Sequence, residues 1–244
     1  MELGELWPLF GLELRTPRLL LRPVQDADLP ALAEAALDGI HDRDRMPFGF
    51  PWTDAPPADL PRNLAMHHWS LRQISPQSWT IQFAVILDGT VIGAQDLGAQ
   101  DFAHRRTVSS GSWLTKRAQG QGVGTEMRAA LLLFAFDVLG AEWAESSAAV
   151  WNTASLRVSY GLGYEPNGVT RVAPRSEQPV DEQRVRLSRH GFNRPTWGIT
   201  TTGEQAVLAQ LGISASENDA GGPTRRTKTT VVGPAGIEPT TSTV

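Results

Sequence analysis

The sequence predicts an α/β (α+β) fold, and three stretches carry that prediction. Trp79-Thr-Ile-Gln-Phe-Ala-Val-Ile-Leu87 alternates and is rich in β-branched and aromatic residues. Asp88-Gly89 then turns the chain into Thr90-Val-Ile-Gly-Ala-Gln95, so the pair reads as a β-hairpin. The second stretch, Arg117-Ala-Gln-Gly-Gln-Gly-Val-Gly-Thr125, is a glycine-rich turn between a strand pattern at 108–115 and a long apolar helix pattern beginning near Gly124. In the third, residues 144–187, one more strand pattern is followed by a short helix and two closing strands.

Taken in order, Leu6-Trp-Pro-Leu-Phe10 is an apolar lead-in that either tucks under a core edge or is an initiation artefact. Arg18-Leu-Leu-Leu-Arg-Pro23 reads as a short strand ended by proline. Asp26 and Asp28 compete as N-caps of a helix that carries Leu29, Leu32, Ala33, Ala36 and Leu37 on one face and stops at Gly39. Residues 41–61 fit neither period. Their aromatic stretch, Met46-Pro-Phe-Gly-Phe-Pro-Trp52, either contacts a substrate or covers the core.

Helical spacing returns over 58–74 through Leu60, Leu64, His67/His68, Leu71 and Ile74, with Pro61 in the first turn. After the hairpin, a loop with Asp101, His104, Arg105 and Arg106 delivers residues 108–114 as a third strand of the same antiparallel system. The helix at about 124–139 aligns Met127, Leu131, Phe134 and Val138 and ends at Gly140. Residues 144–150 form the next strand, and Asn152/Thr153 cap a short helix ending at Gly161 or Gly163. Residues 164–172 and 183–187 are the closing strands, with Gly168 at a turn or bulge. A weakly amphipathic helix covers 203–211. Beyond it Ser, Thr, Gly and Pro dominate, and a disordered tail is expected over 213–244. The domain therefore runs over 7–192, with a C-terminal extension over 193–212 that carries the short helix.

Composition narrows the classes of function. The 244 residues are 41% apolar and 20% charged, with a formal net charge of -4, which argues against a general polycation for nucleic acid or anionic membrane. No apolar run reaches the roughly 20 residues of a membrane helix, and the acidic start lacks a signal peptide's basic region, so a cytoplasmic protein is expected. The chain has no cysteine, which removes disulfides, thiolate metal sites and a cysteine-linked intermediate. The five histidines lack ligand spacing, so no metal is expected.

The glycine turn is the strongest chemical signal. Glycines at 120, 122 and 124 let a backbone approach a ligand, and a helix start points free N–H groups and a positive dipole end at an anion. A P-loop would need Lys-Ser/Thr after the last glycine, and a dinucleotide fingerprint needs Gly-x-Gly-x-x-Gly after the first strand of a βαβ unit. Neither is present. By itself the motif is equally consistent with glycines that merely permit a tight strand-to-helix turn.

Arg117-x-x-Gly120-x-Gly122 resembles the Arg/Gln-x-x-Gly-x-Gly/Ala signature of the GCN5-related N-acetyltransferase (GNAT) superfamily. Asn152-x-x-Ser155 followed by Gly163-Tyr164, and the opening Thr16-Pro-Arg-Leu-Leu-Leu-Arg-Pro23, resemble elements of its RimJ/RimL-like branch. His41-Asp-Arg-Asp-Arg-Met-Pro-Phe48, Ser110-Gly-Ser-Trp-Leu114 and Gly124-Thr-Glu-Met-Arg-Ala-Ala130 look like an actinobacterial subgroup similar to a mycobacterial succinyl-CoA-using transferase. The resemblance covers about residues 7–190.

It implies a GNAT fold: a central mixed, splayed sheet of six or seven strands flanked by about four helices, with acyl-CoA in the splay. Backbone N–H groups of Gln119, Gly120, Gln121, Gly122, Val123, Gly124 and Thr125 would then hold the pyrophosphate. Leu114 and its neighbours would pair with the pantetheine arm, and Asn152 would hydrogen-bond it. The implied activity is transfer of an acetyl or succinyl group from CoA to a primary amine by direct attack in a ternary complex. The alternative is a catalytically silent acyl-CoA-binding sensor or assembly module.

The strand around 113–115 would give the oxyanion a backbone N–H. Where many relatives have a tyrosine acid this chain has Ser159, with Tyr160 one position on, so Ser155 becomes the better-placed hydroxyl, a helix-capping role being equally consistent. Asp96, Asp101, His104 and Glu145 all qualify as base. A succinyl carboxylate would call for a cation, for which Arg105, Arg106 and Lys116 are available by sequence. The acceptor is a small amine or a protein amine, and a homo-oligomer is compatible with the sequence.

Overall fold

The computed structural model describes Met1, residues 3–176 and residues 178–213. From the N-terminus come helix α1 (Leu3–Leu6), strands β1 (Glu13–Arg15) and β2 (Leu19–Pro23), helices α2 (Leu29–Leu37) and α3 (Leu60–Ser70), and the hairpin strands β3 (Ser78–Leu87) and β4 (Thr90–Gln100). Helix α4 (Phe102–Arg105) leads into β5 (Thr107–Leu114), followed by α5 (Val123–Leu133), β6 (Trp143–Ala149) and α6 (Thr153–Gly161). Strands β7 (Glu165–Arg175), β8 (Gln178–Ser188) and β9 (Thr200–Thr202) and helix α7 (Glu204–Gln210) complete the described residues.

The nine strands lie in one sheet ordered β7-β8-β6-β5-β4-β3-β2-β1-β9. Every neighbouring pair is antiparallel except β5 and β6, which run parallel. That pair is in register only from Thr107↔Trp143 to Ser109↔Glu145. A last link, Ser146 Oγ to the Ser110 carbonyl at 2.9 Å, marks the vertex, and beyond it the strands part. This divergence is the expected splay.

Side chains alternate along β4 and β5, so the sheet has two different faces. Leu97, Val108 and Leu114 pack under Val123, Met127, Leu131 and Phe134 of the α5 region, with Phe83 edge-on to Phe134. Ala84 and Ala94, on the other face, meet Val24 and Leu32 below α2. The hairpin turn has both Asp88 (φ +49°) and Gly89 (φ +77°) in the left-handed region, as a primed two-residue turn requires.

Several local expectations are corrected. The sheet has nine strands where six or seven were expected, because β1 and β9 are three-residue strands that show too little alternation to read, and they pair with each other. Helices α1 and α4 are single turns of the same kind. Neither Asp26 nor Asp28 caps α2 with its side chain; Asp28 instead accepts the Gln25 N–H and a two-pronged Arg22 guanidinium at 2.7 Å. The helix expected to 139 changes to a π turn over Phe134–Val138. Gly168, at φ +87°, sits in a register shift of β7, a bulge.

The lead-in tucks: Leu9, Leu12 and Leu14 are buried, and the Leu9 N–H donates to Gln210 Oε1. Val207, Leu208 and Leu211 join the same core, so the C-terminal extension closes the β1 edge. The expected tail lies, beyond Ile213, outside the described residues. Among them, no helix is long and apolar enough to cross a membrane.

Candidate active site

The glycine turn lies where β5 delivers the chain to α5, at the open mouth of the splay. Residues Lys116–Ala118 form a single 3-10 turn, Gly120 sits at φ +73° and Gly122, the N-cap of α5, at φ +78°. A Cβ at Gly120 would meet nothing within 4 Å, so its glycine is required by backbone conformation rather than by crowding. Gly122 offers α5 no side-chain cap, and the first intrahelical bond runs from the Glu126 N–H to the Gly122 carbonyl. The N–H groups from Gly120 to Thr125 therefore have no hydrogen bond within the described residues.

Gln119 plays a different part from the one expected. Its N–H is committed to the Lys116 carbonyl, and its side-chain Nε2 donates to Ile40 O (2.7 Å) and Leu114 O (2.8 Å), so it braces the turn. A second brace comes from the start of β2. Arg18 reaches the Gln121 carbonyl through Nη1 and Glu126 Oε2 through Nε, and Thr16 Oγ1 donates to Glu126 Oε1. Glu126 is buried. The turn is thus fixed from both sides.

Along β5, the Thr115 N–H donates to Ile92 O on β4. The two-residue alternation then aims Trp113 at β4 as well, and turns the backbone groups of Leu114 and Ser112 towards the gap. Of the three residues expected to offer an oxyanion N–H, only Leu114 points the right way. Asn152 caps α6 as the sequence predicts, its Oδ1 accepting the Ser155 N–H at 3.2 Å, which leaves Nδ2 to donate elsewhere. Ser155 lies half-buried in the first turn of α6.

Behind β5, Ser159 is buried, donates to the Ser155 carbonyl and accepts from Arg128 Nη1 at 2.9 Å. Arg128 is itself buried, with Nη2 3.5 Å from Ser112 Oγ and Nε unpartnered. Burial lowers its pKa, and Tyr164 works in the opposite direction. Sequence reasoning missed Arg128, although it is the only charge between Met127 and Phe136.

The opposite face separates the candidate bases. Asp96, which pairs with Gln82 on β3 and Gly111 on β5, has its carboxyl pKa pushed up to about 6 by burial, opposed by a hydrogen bond from Gln82. Asp101 and His104 instead pair with each other on the exposed α4, and Glu145 lies 3.7 Å from Arg186. None of these three is buried.

On the same face the aromatic loop stacks against β5: Phe48 on Trp52 (5.3 Å between centroids) and Trp52 on Trp113 (5.6 Å). Its other side is tied to the β7–β8 hairpin by Arg175, which holds Asp54 with two 2.7 Å bonds and the Arg43 carbonyl at 2.9 Å. Arg45 lies over Trp151. The loop consequently arches across the gap, covering core and roofing the splay at once. Lys116 pairs with Asp42 and Arg106 stacks on Phe102, so neither is aimed into the gap.

A family model described as Acetyltransferase (GNAT) domain matches residues 18–165, more than half of the chain. Similar solved structures include the GNAT-family acetyltransferase from Bacillus anthracis, at 18% identity and TM-score 0.57 over 73% of this chain and 99% of that one. Mycobacterium smegmatis RimJ in complex with CoA-disulfide is 18% identical, with TM-score 0.59 over 85% and 96% of the two chains. RimL, a ribosomal L7/L12 alpha-N-protein acetyltransferase in complex with coenzyme A, is 15% identical, with TM-score 0.55 over 71% and 95%. At these identities the likeness is one of fold. It is the family match that carries the assignment: the chain belongs to the GNAT acetyltransferase family.

Proposed function

We propose that this protein transfers an acyl group from a CoA thioester to a primary amine by direct attack, with both substrates bound together. The observation that carries this reading is the run of free N–H groups from Gly120 to Thr125 at the mouth of the β5–β6 splay. Pyrophosphate is the anion suited to such a run, and a pantetheine arm leaving it would lie along the open edge of β5. There Leu114 offers its N–H, and Asn152 offers Nδ2 from α6.

Acetyl-CoA is the proposed donor, with succinyl-CoA as the second one to test. The acceptor would enter beneath the aromatic roof formed by Phe48, Trp52 and Trp113. A protein amine suits the RimL neighbour, whose acceptor is a ribosomal protein's α-amine; a small amine is the other class. Asp96, the half-buried carboxylate with a near-neutral pKa, serves as the base that frees the amine's lone pair. The Leu114 N–H meets the carbonyl oxygen as it becomes anionic.

The test is thiol release from acetyl-CoA and succinyl-CoA against a panel of peptides with free α-amines, lysine peptides and small amines. Amine-dependent release is expected. Tight CoA binding with no amine-dependent release would instead favour a catalytically silent acyl-CoA-binding module.

A further inference from the structure

Arg128 is a buried cation with no salt bridge among the described residues. Leaving a guanidinium in that state is costly, since burial disfavours charge unless an anion shares the site. Its surroundings are short of partners too. Gln95, the cross-strand neighbour of Ser112, is 0% exposed with both amide atoms unpartnered. The buried hydroxyls of Tyr164 and Ser110 both lack a hydrogen bond of good geometry among the described residues, and the Arg128 guanidinium acts electrostatically on Tyr164. Together these groups form a buried polar cluster between α5, α6 and β5, and no carboxylate among the described residues pairs with its positive charge.

Its place along the donor path is fixed by β5. An arm that starts at the glycine turn passes Leu114 first, then Ser112, and is stopped at Ser110, where Ser146 closes the splay. The reacting end therefore comes to rest beside Ser112, the residue Arg128 Nη2 approaches. The nearby hydroxyl of Ser159 is already donating to the Ser155 carbonyl, so it has no proton to give.

Resting on the acyl-CoA reading above, we propose that Arg128 is the catalytic group that stabilises the departing CoA thiolate. As the amine nitrogen bonds to the carbonyl carbon, the C–S bond breaks and its electron pair leaves on sulfur. The amine's proton passes to a base on the other face of the sheet, and Arg128 keeps all of its own. A neutral thioester gives the guanidinium nothing to neutralise, whereas a developing thiolate does, so the interaction strengthens along the reaction rather than on binding. No proton donor is needed at this position, which accounts for a serine at 159.

The test compares wild type, Arg128→Met and Arg128→Lys. The ultraviolet absorbance of bound CoA is titrated with pH, and calorimetry measures CoA against desulfo-CoA. In wild type the bound thiol is expected to ionise at lower pH than in free CoA, and CoA to bind tighter than desulfo-CoA above neutral pH. Arg128→Met should abolish both differences and lower kcat on the order of 10²-fold with little change in KM for acetyl-CoA, and Arg128→Lys should restore part of each. An unshifted thiol in wild type, or equal weakening of CoA and desulfo-CoA in Arg128→Met with the thiol titration unchanged, would overturn the role of Arg128 alone. Failure of wild type to bind even desulfo-CoA would overturn the acyl-CoA reading beneath it.

Discussion

Arg18, at the start of β2, holds Glu126 in the first turn of α5, with Nε 2.6 Å from Oε2 and Nη1 3.1 Å from the Gln121 carbonyl. The pair fastens the glycine turn to the sheet, so the cradle's shape depends on a strand 103 to 108 residues earlier in the chain. Arg18→Met leaves the buried Glu126 carboxylate with Thr16 and a backbone N–H alone. A loss of about 1–3 kcal/mol in urea unfolding is expected. Calorimetry should show CoA affinity falling about tenfold, which corresponds to about 1.4 kcal/mol.

Gly122 separates shape from charge in the same cradle. At φ +78° an alanine there costs about 1 kcal/mol of stability through its backbone alone, and its Cβ would lie 3.5 Å from Arg18 Nη2. Gly122→Glu adds bulk and a negative charge where an anion should sit. CoA binding is expected to vanish in Gly122→Glu and to weaken only moderately in Gly122→Ala, with both variants folded by circular dichroism. Unchanged affinity in Gly122→Glu would remove the cradle assignment.

The turn and the Asn152 cap were legible in the sequence because both are local. A glycine at positive φ or an Asn at an N-cap satisfies backbone requirements set within four residues. Arg128, Glu126 and Asp96 were not, because nothing local shows that a charge is withdrawn from solvent, fully for the first two and in part for Asp96. Arg128 and Glu126 break an apolar helix pattern, which signals an exception without naming the partners: Ser112 on a strand, Ser159 on another helix, Arg18 from the N-terminal edge. Asp96 looked equivalent to Asp101 until the sheet put one under α2 and α3 and the other on an exposed turn. Gln119 belonged to a motif whose N–H groups were expected to act together, but the 3-10 turn claims its N–H first.

Asp96 should make stability fall as pH rises. Its folded pKa, about 6, lies above the ordinary carboxylate value of 3.8, so the folded state binds more protons than the unfolded chain between those values. The contribution is fully present below about pH 4 and lost as pH rises through about 6, amounting to about 2–3 kcal/mol. Asp96→Asn should therefore be the more stable protein at pH 8 and gain nothing at pH 4, which urea titrations at the two values would read. If Asp96 is the base, the same variant should also lose the rise in kcat/KM centred near pH 6.

Arg175 tests whether the aromatic loop serves the acceptor or only covers the core. Its guanidinium grips Asp54 with two bonds and takes the Arg43 carbonyl as a third, while the rest of the loop rests on Trp113 through Trp52. Arg175→Ala should free the β7 end of the arch and leave the Trp52–Trp113 stack in place. Both members of the ion pair keep some exposure, so solvent screens it and the stability cost should be small. A roof that positions the amine would, once unfastened, raise KM for the acceptor several-fold while KM for acetyl-CoA stays put, because the cradle lies on the other side of the splay. A loop that only covers core would change neither constant, and steady-state kinetics varying each substrate in turn distinguishes the two.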